Sequence, residues 1–458
     1  MPAMKTKTVY VCSECGAESP KWLGRCPQCG EWNTYQEEHI AIDKRETLAG
    51  IGPAGIITDV KAVPLCSVAQ KDVIRSTTAN AELDRVLGGG IVPGALILIG
   101  GEPGIGKSTL VLQMAMQLPK RVLYVSGEES IQQIKLRADR ISRAKADNCL
   151  VVSDTRIDAL TQHIDSARPD IVVVDSIQTM QTERTDSLPG SISQIKECTA
   201  VLMRIAKTRS LPVVIIGHIN KDGQLAGPKV LEHMVDVVLQ FEGDRNHLYR
   251  ILRSIKNRFG STNEIGIFEM MSDGLREVSN PSEMLLGEYA SDLSGVAIAA
   301  AMEGVRPFLI ETQALVSTAA YGTPQRSAMG FDVRRMNMLL AVLERRAGFK
   351  IAAKDVFLNL AGGIKVTDTA LDLPVAAAIL SSTTDIPICR GTCMAGEIGL
   401  SGELRPVPRI EQRVSEADKL GFSRIIIPQS SRLGPLSVNI EVCRVGRLAE
   451  AFRMLFQQ

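Results

Sequence analysis

The stretch Gly100-Gly-Glu-Pro-Gly-Ile-Gly-Lys-Ser-Thr109 decides the fold of this chain. It contains the pattern G-x-x-x-x-G-K-S, follows the apolar run 95–99 and precedes a helix-favouring apolar segment, 110–118. This order of strand, glycine-rich loop and helix is typical of a phosphate-binding loop, in which backbone N–H groups and the helix dipole surround phosphate oxygens. A glycine-rich turn without a ligand is the alternative, but the lysine, the serine and both flanks favour a nucleotide site.

Each residue type in this loop has an expected role toward ATP. Lys107 would reach the β- and γ-phosphates, and the Ser108 hydroxyl would ligate Mg²⁺. The residues expected to bind the nucleotide are Gly101, Glu102, Pro103, Gly104, Ile105, Gly106, Lys107, Ser108 and Thr109.

The composition is that of an ordinary globular protein. A length of 458 residues suggests about two to four domains at ~150 residues each. Apolar residues make up 45% and charged residues 22% of the chain, which is enough for sizeable cores. A net charge of +1 neither favours nor excludes a nucleic-acid partner, and 4% aromatic residues argues against extensive base-stacking platforms. The polar N-terminus and the lack of an apolar run of ~18 residues predict a cytosolic protein.

Four of the ten cysteines form two C-x-x-C-G knuckles near the N-terminus. These are Cys12, Cys15, Cys26 and Cys29. Two such knuckles predict one tetrahedral structural Zn²⁺ site, because so small a module cannot fold on apolar burial alone. Two disulfides or a redox pair are the alternatives, which a cytosolic setting disfavours. Trp22 and Trp32 fall in the same segment, where core filling is preferred over base stacking.

From about residue 72 to residue 280, short apolar runs alternate with helix-length segments. Continuous runs rich in valine and isoleucine are typical of buried parallel strands. The predicted strands are Leu96–Gly100, Val122–Ser126, Leu150–Ser153, Ile171–Asp175, Val213–Gly217, Val235–Phe241 and an edge strand, Leu248–Ile255. The pattern predicts an α/β fold around a parallel sheet.

Two acidic residues at strand ends are candidates for the hydrolytic site. Asp175 ends a buried strand, where the second carboxylate of a P-loop fold holds the Mg²⁺ shell through water, although a helix cap is the alternative. Glu128, just after the strand Val122–Ser126, would polarise the water that attacks the γ-phosphate. Its neighbour Glu129 is the competing candidate for that role, or a helix cap.

Two loops and one pentapeptide are candidates for contacts with phosphates. The loops 178–193 and 218–229 both follow predicted strands at the carboxyl edge of the sheet. In the second loop, Lys221 and Lys229 are candidate phosphate contacts, and ordinary solvated loops are the alternative. His218 would sense the γ-phosphate or else be a packed histidine.

The pentapeptide Lys256-Asn257-Arg258-Phe259-Gly260 places two cations around a short polar residue. Such cations suit a γ-phosphate contact supplied by a neighbouring subunit. A solvated turn is the alternative.

From about residue 285 onward, glycine and alanine become more frequent and a second α/β domain is predicted. Its expected elements are Val296–Ala301, Phe308–Val316, a helix around Arg334–Arg346, Val356–Leu360, a helix over Thr369–Ser382, Met394–Leu404 and a helix near Arg447–Phe456.

Together with these motifs, several longer stretches resemble the RadA family, also called Sms, of bacterial DNA repair and recombination proteins. They are Leu83–Gly90, Gly127–Ser130, Leu225–His233 and Lys256–Gly260. The resemblance spans nearly the whole chain. It implies a zinc ribbon (8–35), a linker (36–70), a RecA-like P-loop ATPase domain (71–282) and a Lon-protease-like α/β domain (283–458).

The resemblance also implies an activity. A homo-hexameric ring would bind single-stranded and branched DNA and use ATP, Mg²⁺ and structural Zn²⁺ while promoting branch migration alongside a RecA-type recombinase, at the nucleoid rather than a membrane. The two loops, with Lys221 and Lys229, would contact DNA. Lys256 and Arg258 would couple DNA binding to hydrolysis across the subunit interface. A nucleotide-gated DNA-binding scaffold that does not translocate is the alternative.

The second domain departs from a Lon-type protease at the two positions that chemistry requires. A serine nucleophile would fall on Leu371 or Asp372, and the lysine base near Glu411. We therefore expect no peptidase activity, and the domain would assemble the ring and contact duplex DNA. Candidates for a basic face are Arg334, Arg335, Arg345 and Arg346, with a solvated helix face as the alternative.

Overall fold

The structure is a computed structural model. It describes residues 6–13, 16–41, 74–142, 146–185, 187–218, 230–243, 249–286, 293–319, 323–363 and 365–456. The chain divides into two compact units, residues 1–277 and 278–458. Among the described residues, no helix combines the length and the apolar character needed to cross a membrane.

The first unit begins with a small antiparallel sheet. Its strands are β1 (Thr6–Cys12), β2 (Glu18–Ser19) and β3 (Tyr35–Ala41), in the order β2-β1-β3. The core of this ribbon is built around Cys12, Cys26 and Tyr35. Trp22 and Trp32 are 51% and 67% exposed, so the expectation that they fill this core is wrong. The cysteine cluster and Tyr35 occupy the interior instead.

The larger part of the first unit is a nine-stranded sheet in the order β12-β11-β10-β9-β4-β8-β7-β5-β6. Its strands are β4 (Leu96–Gly101), β5 (Val122–Ser126), β6 (Cys149–Ser153), β7 (Ile171–Asp175), β8 (Val213–His218), β9 (Val237–Glu242), β10 (Tyr249–Asn257), β11 (Ile265–Met271) and β12 (Gly274–Glu277). Strands β4 to β9 pair in parallel. In β4, Ile97 and Ile99 pack into one core while Leu96 and Leu98 pack into another. Burial on both faces explains why these strands are continuous apolar runs.

Helices cover this sheet and follow its strands. They are α1 (Ala81–Leu87), α2 (Lys107–Gln117), α3 (Ile131–Ile141), α4 (Ile157–Ala167), α5 (Ile192–Arg209) and α6 (Val230–Met234). The expectation that the strand after β9 is an edge strand is wrong. Strand β10 pairs with β9 on one side and with β11 on the other, both antiparallel. The apolar run at 265–268 extends the sheet beyond it.

The second unit contains a seven-stranded mixed sheet in the order β15-β16-β14-β13-β17-β20-β21 and a two-stranded sheet, β18-β19. Its strands are β13 (Val296–Glu303), β14 (Arg306–Thr318), β15 (Arg326–Met329), β16 (Lys354–Leu360), β17 (Thr392–Met394), β18 (Glu397–Ile398), β19 (Leu404–Arg405), β20 (Arg424–Pro428) and β21 (Glu441–Val445). Its helices are α7 (Pro281–Leu285), α8 (Val333–Ala347), α9 (Asp372–Thr384), α10 (Ile410–Lys419) and α11 (Leu448–Phe456). Helix α9 is buried over nearly its whole length, which explains its alanine-rich, apolar sequence.

Candidate functional site

The phosphate-binding loop connects β4 to α2 at the carboxyl edge of the parallel sheet. Gly106 caps the helix with a φ of 115°, and a β-carbon there would lie 2.8 Å from the Met270 side chain. The backbone conformation requires glycine, and a larger residue would also displace the end of the Met270 side chain. Helix α2 begins at Lys107, so the loop ends where backbone N–H groups are free of intrahelical acceptors.

The Lys107 ammonium has three hydrogen-bond acceptors around it. Its Nζ donates to the carbonyl oxygens of Gly101 and Glu102, each at 2.8 Å, and lies 3.2 Å from His218 Nδ1. Burial lowers the pKa of Lys107 to about 8, although nearby carboxylates oppose that shift. The side chain is therefore mostly charged at pH 7, with each proton directed to an acceptor.

His218 connects Lys107 to Glu128. Because the ammonium donates to Nδ1, Nε2 carries the ring proton and donates to Glu128 Oε1 at 3.2 Å. The Ser176 hydroxyl donates to the same carboxylate oxygen. The hydrogen bond from His218 is the largest cause that lowers the pKa of Glu128 to about 2, with Ser176 adding to it and burial opposing both. Glu128 is thus an oriented carboxylate, and its side chain is still 40% exposed.

Asp175 lies beside the helix end of the phosphate-binding loop. Its Oδ1 accepts a hydrogen bond from Ser108 Oγ at 3.1 Å, and its Oδ2 accepts one from the Tyr124 hydroxyl. Asp175 is buried, and Ser176 rather than Asp175 precedes the following turn of 3₁₀-helix. A hydroxyl and a carboxylate side by side are oxygen donors of the kind that Mg²⁺ accepts. These two residues therefore fit the predicted ion.

Glu129 has a different environment from Glu128. Its carboxylate forms an ion pair with Arg137 at 3.1 Å. The alternative that Glu129 caps helix α3 is wrong, because Ser130 is the N-cap and forms a capping box with Gln133. Gly127, before the two glutamates, packs so closely that a β-carbon would lie 2.1 Å from Thr179 Oγ1.

The first of the two predicted loops is ordered by one buried amide. Gln194 Nε2 donates to the carbonyl oxygens of Thr182, Thr185 and Ser187, at 2.8 to 3.2 Å. Its Oε1 accepts from Thr182 N at 3.0 Å. Lys221 and Lys229, in the second loop, lie outside the described residues. His218 is the last described residue before that loop.

The pentapeptide 256–260 and the phosphate-binding loop lie at opposite ends of the strands. The loop follows the carboxyl end of β4, and the pentapeptide lies near the amino end of β4. Asn257 pairs with Val237, and Val237 pairs with Ile97 near the start of β4. Because β4 runs from Leu96 to the loop after Gly101, the two sites are separated by the length of that strand, roughly 17 Å. The pentapeptide of one chain is thus remote from the phosphate-binding loop of the same chain.

The two cations of the pentapeptide are held in different ways. Lys256 Nζ donates to the carbonyl oxygens of Glu232, His233 and Val235. Desolvation is the largest cause that lowers the pKa of Lys256, and Arg258 adds to it. The Arg258 side chain is 57% exposed and its Nη1 lies 3.6 Å from the buried Asp236. The exposed guanidinium can reach a ligand without breaking a short ion pair.

The described cysteines of the ribbon fit a zinc ion. The sulfur atoms of Cys12, Cys26 and Cys29 all lie within 4.8 Å of one another, and Cys12 Sγ is 3.7 Å from Cys29 Sγ. A tetrahedral site with Zn–S bonds of about 2.3 Å separates its sulfurs by about 3.8 Å. Cys15, the fourth predicted ligand, lies outside the described residues. Within the described part of the chain, none of these three cysteines is joined in a disulfide.

Asp372, at one of the two candidate serine positions, is fully buried. It accepts two hydrogen bonds from the Arg335 guanidinium and one from Ile398 N. Arg335 is therefore an internal ion-pair partner, and its assignment to an exposed basic face is wrong. Glu411, near the predicted lysine position, accepts a hydrogen bond from Gly434 N.

Sequence reasoning missed several residues that complete the site. Ser176 and Tyr124 hold the two carboxylates, and Gln194 orders the first loop. Ser176 directly follows Asp175, so a second polar side chain at a strand end was the available signal. Tyr124 and Gln194 carry no such signal, because their partners are distant in sequence.

The fold and the site define a P-loop ATP-hydrolysing enzyme with a RecA-like core, an N-terminal zinc ribbon and a second α/β domain. Family models match three regions: "Rubredoxin metal binding domain" at residues 10–37, "AAA domain" at 64–224 and "Subunit ChlI of Mg-chelatase" at 314–431. The DNA repair protein RadA of Bacillus subtilis is 50% identical over 98% of this chain and 98% of its own. The chain therefore belongs to the RadA family of DNA repair proteins.

A second curated relative agrees with this assignment. The DNA repair protein RadA of Listeria monocytogenes is 48% identical, with 99% of each chain covered. A crystal structure of the RadB recombinase aligns at 24% identity and a TM-score of 0.36, covering 44% of this chain and 99% of that chain. The predictions of the family, the α/β class and the zinc ribbon are confirmed. The match of the second unit is to ChlI, and its likeness to Lon stays a prediction.

Proposed function

We propose that this protein is a DNA-dependent ATPase that acts as a ring motor on single-stranded DNA and promotes branch migration of recombination intermediates. The observation that carries the proposal is the hydrogen-bonded series Lys107–His218–Glu128. It joins Lys107, which would bind the γ-phosphate, to Glu128, which would orient the attacking water. The connecting residue is His218, which directly precedes residues 219–229. DNA binding at residues 219–229 would therefore act on hydrolysis through His218, which contacts both Lys107 and Glu128.

Hydrolysis rests on residues whose geometry is already set. Lys107 would exchange its carbonyl acceptors for β- and γ-phosphate oxygens when ATP binds. Ser108 and Asp175 would hold Mg²⁺, which neutralises phosphate charge when bound. A carboxylate with a pKa of about 2 is a weak base, so Glu128 would orient and polarise the attacking water instead of removing its proton early. Glu128 is favoured over Glu129 because Glu129 is paired with Arg137.

Turnover would depend on a neighbouring subunit. Since the pentapeptide is at the far edge of the sheet from its own phosphate-binding loop, Lys256 and Arg258 would contact ATP bound by the next subunit of a homo-hexameric ring. A head-to-tail ring provides such a heterologous interface. The added positive charge would stabilise the γ-phosphate in the transition state. The hexamer is part of this proposal. So is the division of the chain into a zinc ribbon (8–35), a linker (36–70), an ATPase domain (71–282) and a second domain (283–458).

DNA contacts would come mainly from cations and be insensitive to sequence. Lys221 and Lys229 would meet the phosphates of single-stranded DNA in the ring's channel. The second domain would be a proteolytically inactive assembly platform, and the exposed Arg334, Arg345 and Arg346 would face duplex DNA. Affinity would then fall steeply with salt. A cytoplasmic site at the nucleoid and a RecA-type recombinase partner follow from this activity.

The first test is steady-state ATP hydrolysis with and without single-stranded DNA. We expect strong stimulation in the wild type and no turnover in Lys107→Ala, with zinc content unchanged. Substantial turnover in Lys107→Ala would contradict the phosphate-site assignment. Equal rates with and without DNA would favour the nucleotide-gated scaffold over the motor.

A further inference from the structure

Two indole rings are exposed side by side on the zinc ribbon. Trp22 is 51% exposed and Trp32 is 67% exposed. Their Cζ3 atoms lie 3.7 and 4.0 Å from the position that a β-carbon would take at Gly24. The two rings therefore border the same glycine. So much exposed aromatic surface in so small a module is costly unless a ligand covers it.

Both rings are held in place by the ribbon. Trp22 Nε1 donates a hydrogen bond to Tyr35 O at 3.1 Å. Trp32 forms an isolated β-bridge with Arg25, whose guanidinium carbon is 5.7 Å from the indole centroid. Arg25 is itself fixed by a hydrogen bond from Nε to Gly30 O at 2.9 Å. Rings ordered in advance lose little conformational entropy when they bind.

The surroundings of the rings favour a nucleic acid as the ligand. Lys21 and Arg25 are exposed; the Arg25 guanidinium lies over the Trp32 ring, and Lys21 directly precedes Trp22 in the sequence. Flat aromatic faces beside cations bind single strands, because each base can stack on a ring while the backbone phosphate meets the cation. The buried core of the ribbon is formed by Cys12, Cys26 and Tyr35, and the indoles are not part of it.

We propose that Trp22 and Trp32 form a stacking platform for unpaired bases of single-stranded DNA, with Lys21 and Arg25 contacting the adjacent phosphates. The choice of ligand rests on the proposed function, but the platform uses other residues than Lys221 and Lys229 of the proposed channel. The platform would hold the strand on the ribbon independently of nucleotide.

The chain offers a direct reporter for this site, since these are its only two tryptophans. We would titrate the full-length protein with oligo(dT) without nucleotide and follow intrinsic tryptophan fluorescence. Stacked thymines should quench the emission, and added salt should weaken the binding. An unchanged emission spectrum at DNA concentrations that saturate ATPase stimulation would overturn the proposal.

Matched variants make the test specific. Trp32→Ala should raise the Kd read from Trp22 by about five- to a hundredfold, because one stacking contact is lost. Trp32→Phe should restore binding, and Leu136→Ala, at a residue 73% exposed on α3, should leave it unchanged. Equal zinc content would verify that each ribbon is folded. An equal Kd for Trp32→Ala and the wild type would refute stacking.

A double variant separates this proposal from the motor. In Lys221→Ala with Lys229→Ala, DNA-stimulated hydrolysis should fall while quenching by oligo(dT) persists. Loss of quenching in that variant would mean that the indoles only report on the channel. If DNA fails to quench but Trp32→Ala weakens binding of a RecA-type recombinase, the surface is a protein-docking site and the proposal is wrong.

Discussion

Replacing His218 with alanine removes a side chain that contacts both Lys107 and Glu128. The lost interaction with Glu128 is a hydrogen bond to a charged group at 3.2 Å, and such bonds contribute about 1.5–3 kcal/mol. If the bond orients the water in the transition state, kcat falls by about 10- to 150-fold. ATP affinity should change little, because the carbonyl oxygens of Gly101 and Glu102 still hold Lys107 at the loop in the free protein, and Lys107 can still exchange them for phosphate oxygens.

The rate would fall because Glu128 is no longer oriented, while its carboxylate stays ionised. Without His218, the pKa of Glu128 rises from about 2 toward its ordinary value, which is still well below 7. The assay is steady-state hydrolysis at saturating Mg-ATP, with and without single-stranded DNA, which gives kcat directly. His218→Gln, which can still donate to Glu128, should recover part of the rate. His163→Ala on α4 is the control. A kcat for His218→Ala within twofold of the wild type would refute the reasoning.

Three further predictions concern the rest of the molecule. Arg335→Leu should destabilise the second unit by about 3–5 kcal/mol in urea unfolding, because Asp372 becomes an unpaired buried charge, whereas Arg334→Leu should cost little. Adding Asp372→Leu to Arg335→Leu should restore part of the lost unfolding free energy. An unchanged urea midpoint for Arg335→Leu alone would contradict this ion pair. The Kd for ATP should be constant below pH 8 and rise about tenfold per unit above it. The reason is that free Lys107, with a pKa of about 8, must then take up a proton that the bound phosphates stabilise. A flat titration to pH 10 would argue against Lys107 as the phosphate ligand. Cys12→Ser should lower the bound zinc measured by atomic absorption and unfold the ribbon while ATP affinity is retained, and full zinc occupancy would contradict the assignment.

The sequence was sufficient for most parallel strands of the first unit because they are buried on both faces. Val122–Ser126 and Ile171–Asp175 have the predicted bounds, since each apolar run ends at the polar residue that closes its strand. The position of β10 was not predictable in this way. Only three of its nine residues are fully buried, and its neighbour β11 is specified by pairing and not by a local motif.

The site was only partly predictable, because its geometry depends on strand order. Gly101 lies opposite His218 in the pairing of β4 with β8, and this register brings the histidine beside Lys107. No local pattern specifies that neighbour. Arg335 was misassigned for a related reason: a helix pattern separates apolar from polar positions but does not reveal a buried carboxylate on another helix, here Asp372.

The central claim is that the pentapeptide acts on ATP bound by a neighbouring subunit, and mixing two inactive variants tests it most directly. Glu128→Gln would bind ATP without hydrolysing it, and the double variant Lys256→Ala with Arg258→Ala would lack the cations. In equal mixtures, about a quarter of the interfaces of a head-to-tail ring join an intact site to an intact pentapeptide. We predict DNA-stimulated turnover approaching that fraction of the wild-type rate. Turnover no greater than the sum of the separate variants would contradict the account.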